Sequence, residues 1–142
     1  MFSASHLHPM LVHFPIALIV FGFLADISSL LFKKEVCLSK FGFYLLVFGT
    51  LASLSALLTG LLFTSEMSGA AGGVKETHEL FAWITVGTLI ALSAFRIFLK
   101  VKNKEETELK WIAFALYGLA AISVSITGFY GGTLVYNYMM PL

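Results

Sequence analysis

A chain of 142 residues that is 58% hydrophobic and only 12% charged is too apolar for an ordinary soluble domain, which runs about 45–50% apolar and roughly 25% charged. A formal net charge of +1 leaves no basic surface for nucleic acid, and a single cysteine, Cys37, excludes an internal disulfide and a cysteine-rich metal site. The mean hydropathy of +0.91 belongs to a polytopic membrane protein, read as a single unit over residues 1–142.

A membrane-spanning helix needs about 20 mostly apolar residues, and four segments qualify: roughly 11–32, 41–64, 79–99 and 111–134. The first is opened by "HLHPMLVHFPIAL" (6–18). No basic residue precedes its apolar run, and it ends at Lys33-Lys34 instead of a small-residue cleavage site, so it reads as a retained span and not a signal peptide. Pro15 either starts the regular helix, where its missing N–H is tolerated, or kinks a helix that begins at Met10. Both versions fix the direction of His13. Asp26, deeper in this span, is expected to bond Ser28, Ser29 or a group of the second span.

Loop 33–40 leads to the second span, and the Gly-rich stretch "SGAAGGVKET" (68–77) separates the second from the third, which His78 opens. Arg96 lies one or two turns from the far end of the third span and can snorkel to lipid headgroups. "KVKNKEETELK" (100–110) is a solvated loop before the fourth. Ser53, Ser55, Thr59, Ser123, Ser125 and Thr127 are expected to pack and hydrogen-bond between helices. Short breaks between spans make neighbours antiparallel, so the fold class expected is an all-α membrane protein, four transmembrane helices in an up-down bundle.

Basic residues set the orientation. Loop 33–40 carries three lysines and region 96–110 carries Arg96, Lys100, Lys102, Lys104 and Lys110, whereas the middle loop has only Lys75. The positive-inside rule then makes the first and third loops cytoplasmic. Both termini would be periplasmic in a bacterial inner membrane, and all four histidines (His6, His8, His13 and His78) would fall at the outer face.

Two internal slides relate the halves. Moved by 65 positions, His13, Ala17, Gly22 and Ser28 fall on His78, Ala82, Gly87 and Ser93; moved by 68, "LASLSALLTG" (51–60) falls on "LAAISVSITG" (119–128). The units are two helical hairpins, about 8–64 and 76–134, related by an axis along the membrane normal. Such an axis would bring His13 and His78 together across the core, with Ala17 and Ala82 one turn deeper clearing a flat slot. Gly22 and Gly87 would let neighbouring helices approach closely.

Two opposed histidines with a cleared slot suit a b-type haem, histidine being a common axial ligand. His8, His6, Tyr130 and Tyr136 could meet its propionates. The expected function is electron transfer near the outer face, in a binding or electron-transfer subunit more than a stand-alone enzyme. An alternative is copper or zinc at the same mouth, with His6, His8 and Met10 as ligands and Met67, Met139 and Met140 on the same side; thioether plus imidazole suits Cu(I). A third reading is a cofactor-free interaction or scaffold subunit. No nucleophile–base set, phosphate loop or paired carboxylate supports hydrolytic chemistry.

The opening "HPMLVHFPIAL", with Asp26, His78 and "GGTLVY" (131–136), resembles a bacterial four-helix membrane family catalogued as domain of unknown function 2231. The resemblance covers nearly the whole chain. In many relatives the closing motif continues Tyr-x-His-Gly, but here the histidine position holds Tyr138. Relatives are sometimes joined to cytochrome c-like modules, which implies redox work. Candidate partners are thus the lipid bilayer, a periplasmic cytochrome or other redox protein, and a second copy in a homodimer.

Overall fold

Leu-, Phe- and Ala-rich runs build this protein. The structure, a computed structural model, describes residues 7–32 and 35–138. Those residues form helices α1 (Leu7–Leu11), α2 (His13–Leu31), α3 (Val36–Phe63), α4 (Gly69–Val101) and α5 (Leu109–Tyr138), with no strand among them. Helices α1 and α2 make one span, Leu7–Leu31, and four spans are long and apolar enough to cross a membrane.

The first span shows the effect of its prolines. Pro9 sits in the opening turn of α1, where a missing N–H is harmless. Pro15 cannot donate to Leu11, and the helix is interrupted just after Leu11, at Val12. The chain stays close to helical across the break, because Val12 N–H still donates to the His8 carbonyl at 3.1 Å.

The third span begins earlier than the sequence suggests. Gly69 has φ +65°, and from there the Gly-rich stretch is helical as far as His78 and beyond. Two alanines and the Lys75–Glu79 pair at i,i+4, 3.3 Å apart, offset the poor helix propensity of its glycines. His78 therefore stands in the third turn of α4 and does not open it. At the other end of α4, Asn103 takes φ +53°. Lys104 N–H donates to the Leu99 carbonyl at 2.8 Å and Asn103 N–H to that of Lys100 at 3.2 Å, the pattern of a Schellman cap.

Helix α2 packs against α3 and α5, and α4 against α3 and α5. Pairings between α2 and α3 descend in one as they ascend in the other: Ile19 lies against Gly49 and Asp26 against Gly42. Ile19, Leu46, Leu89, Leu92 and Tyr117 are wholly buried at the centre. Phe14, Phe21, Phe48, Leu51, Leu119 and Phe129 face outward, which in a bilayer is the side that meets lipid. Gly22 and Gly87 part company here. A side chain at Gly22 would collide with the Tyr117 hydroxyl, whereas nothing lies within 4 Å of one at Gly87.

Candidate functional site

Two histidines meet at the end of the bundle where α1 begins. His8, in α1, donates from Nδ1 to the Ala56 carbonyl of α3 at 3.0 Å and has the Thr59 hydroxyl at 3.3 Å. His78, in α4, donates from Nδ1 to the Thr127 carbonyl of α5 at 2.9 Å. A proton on Nδ1 leaves Nε2 with its lone pair free, the tautomer that a metal-binding imidazole presents. The two rings lie 6.2 Å apart between centroids, edge to face at 82°.

Glycine places each ring. A Cβ at Gly60 would stand 3.0 Å from His8 Cε1, and one at Gly131 would stand 3.1 Å from His78 Cε1. The imidazoles thus lie almost on the backbones of α3 and α5. Both rings border a cavity of about 360 Å³, within the range of small-molecule sites. Pro9, Val12, Pro15, Ile16, Leu57, Ala82, Trp83, Val86, Val124 and Leu134 make most of its wall apolar.

The histidine that faces His78 is accordingly His8, not His13. His13 is exposed at the rim of the same cavity, and Ala17 is exposed and forms no part of the wall. Ala82 does line it, as does Tyr136, which is 85% exposed at the edge. Tyr130 stacks on Phe81 with centroids 6.2 Å apart and is not a wall residue. The physical reason for the exchange of partners is the extra turn at the start: α1 carries His8 inward over α3, while the break at Val12 leaves His13 on the outer side. His6, Met139 and Met140 lie outside the described residues. Met10 is exposed, and no group of three or more His, Cys, Asp or Glu side chains stands close enough to hold a metal ion among the described residues.

A second polar cluster sits towards the far end of the bundle. Arg96 Nη1 donates to Asp26 Oδ2 at 2.6 Å, with both side chains largely buried. The guanidinium also stands 5.8 Å from the Phe43 ring centre and 5.9 Å from that of Tyr117. Arg96 thus pairs inside the bundle instead of reaching for headgroups. Asp26 accepts from it, while Ser28 and Ser29 hydroxyls donate to main-chain carbonyls of Leu24 and Asp26. A lone carboxylate and a lone guanidinium in apolar spans are each costly in hydrocarbon, and that cost is the signal that pairs them.

Between the clusters run buried hydroxyl pairs, Thr85 with Ser123 at 2.7 Å and Thr50 with Ser93 at 2.8 Å. Ser55 and Ser125 instead bond carbonyls of their own helices. At the cavity wall, Lys75 is buried against Glu66 at 3.1 Å and Glu79 at 3.3 Å. In the sequence Lys75 stands out only as the one basic residue of the middle loop.

A membrane-spanning helical chain with this opening motif matches, over residues 4–141, a family model described as "Predicted membrane protein (DUF2231)". The chain belongs to that family. No curated protein and no solved structure matches it.

Proposed function

We propose that this member of the DUF2231 family is a b-type haem protein that carries electrons near the outer face of the membrane, with His8 and His78 as the axial pair. One observation carries the reading: two imidazoles from distant parts of the chain, each committed at Nδ1 to a helix carbonyl, stand 6.2 Å apart on one apolar cavity. His8 and His78, with rings 6.2 Å apart and Nδ1 already bonded, would hold the haem iron through Nε2. Haem, when bound, supplies one-electron transfer. The chain's part is to fix both rings by their Nδ1 bonds, which hold tautomer and orientation, and to keep water from the site with apolar walls.

Copper or zinc at this mouth has less support, since zinc wants four protein ligands or three and a water and the described residues gather two. In a bacterial inner membrane the lysine distribution supports an orientation with both termini periplasmic, which would put the cavity on the periplasmic side, within reach of a soluble redox partner.

The test is titration of detergent-purified protein with haem. Saturation at one haem per chain, with the spectrum of a six-coordinate iron, is the expected result. No stoichiometric binding would overturn the proposal.

A further inference from the structure

Lys75 is the unusual group in the cavity wall. Its side chain is 9% exposed, yet Glu66, one of its two partners, is 95% exposed. Glu66 belongs to the short non-helical segment between α3 and α4, and Glu79 lies one turn along α4 from Lys75 and is half exposed. The ammonium is therefore held from the solvent side, and Lys75 is among the residues that line the cavity. His78 follows it by three residues, on the same face of α4.

Resting on the axial-pair reading, we infer that Lys75 is the anchor for a carboxylate of the cavity's ligand, and that the site selects an apolar body with an acidic edge. A carboxylate arriving from the cavity displaces Glu66, which water solvates at little cost because that side chain is already exposed. Glu79 stays at 3.3 Å and keeps the ammonium in place during the exchange. A charge-assisted bond from a buried ammonium is strong, and no other lysine or arginine lines the cavity among the described residues. Selectivity then rests on two separate features. The histidine pair takes the metal centre, and Lys75 takes the acidic edge.

The experiment compares haem with haem whose propionates are esterified, titrated into native protein and into Lys75→Met, Lys75→Arg and Glu66→Gln variants. Native protein is expected to bind the ester roughly tenfold to a hundredfold more weakly than haem. Lys75→Met should weaken haem by a similar factor and leave the ester unchanged. Lys75→Arg should restore most of the affinity, and Glu66→Gln should bind haem at least as tightly as native. Equal affinity of native protein for haem and ester, which needs no variant to fold, would overturn the anchor while leaving the histidine pair standing. Equal weakening of both ligands by Lys75→Met would also overturn it. Failure of native protein to bind either ligand would overturn the axial-pair reading, and the anchor with it.

Discussion

Asp26 and Arg96 are joined across the bundle at 2.6 Å and stand 70 positions apart in the chain, the same step that separates His8 from His78. The bonds these helices make to their neighbours keep nearly the same spacing. His8 reaches Ala56 over 48 positions and His78 reaches Thr127 over 49. The histidine pair at one end and the ion pair at the other are thus built on one register, with the buried core of Ile19, Leu46, Leu89 and Tyr117 between them.

The ion pair makes a thermodynamic claim. Removing one partner of a buried pair leaves a bare charge and typically costs about 3–5 kcal/mol. Arg96→Met should therefore lower stability by that order, and Asp26→Leu in the same chain should recover much of the loss. Unfolding of the two single variants and the double in one detergent checks this. Simple addition of the two losses would show that the charges do not couple.

Two glycines separate close packing from open space. A Cβ at Gly42 would run into the Asp26 carboxylate and stand 3.0 Å from the Gly22 carbonyl oxygen, whereas one at Gly87 meets nothing. Gly42→Ala should destabilise by about 1–3 kcal/mol, the usual range for overpacking. Gly87→Ala should be neutral or stabilise by up to about 1 kcal/mol through helix propensity. Thermal melts of both variants decide, and the reverse order would contradict the packing described.

The Thr50–Ser93 bond of 2.8 Å ties α3 to α4 deep in the bundle. Hydrogen bonds between membrane helices average about 0.6 kcal/mol in double-mutant cycles, and Thr50 also bonds the Leu46 carbonyl at 2.8 Å, so its hydroxyl is not stranded when Ser93 is changed. Thr50→Val combined with Ser93→Ala should give a coupling near that average. A coupling of zero would mean that the two hydroxyls stabilise their helices separately.

Cys37 gives a handle on orientation, being exposed near the start of α3. If the start of α3 faces the cytoplasm, a membrane-impermeant maleimide should label Cys37 in inverted vesicles and leave it untouched in intact spheroplasts. Labelling of intact spheroplasts would reverse the proposed topology and place the cavity on the cytoplasmic side.

The four spans were readable from sequence because apolar runs of about 20 residues have few other uses. The histidine partner was not. A slide of 65 aligns identical rare residues, but packing depends on which face is buried, and the buried positions follow the step of 70 or 71. At that step Pro15 meets Thr85, Ile19 meets Leu89, Leu46 meets Tyr117 and Asp26 meets Arg96, pairs in which the residues differ but the surroundings match. The Gly-rich stretch misled for a related reason: glycine disfavours helix in water, but here the helix continues through it and moves His78 two turns inward. Asp26 and Arg96 each take other expected partners from the sequence, Ser28, Ser29 or the second span for one and headgroups for the other, since nothing in a single sequence says that two positions 70 apart touch.

The reduced-minus-oxidised visible spectrum of three variants beside the native protein tests the histidine pair most directly. Sharp b-type bands in native protein and in His13→Ala, lost in both His8→Ala and His78→Ala, are the expected result. Bands that survive His8→Ala, or vanish in His13→Ala, would contradict it.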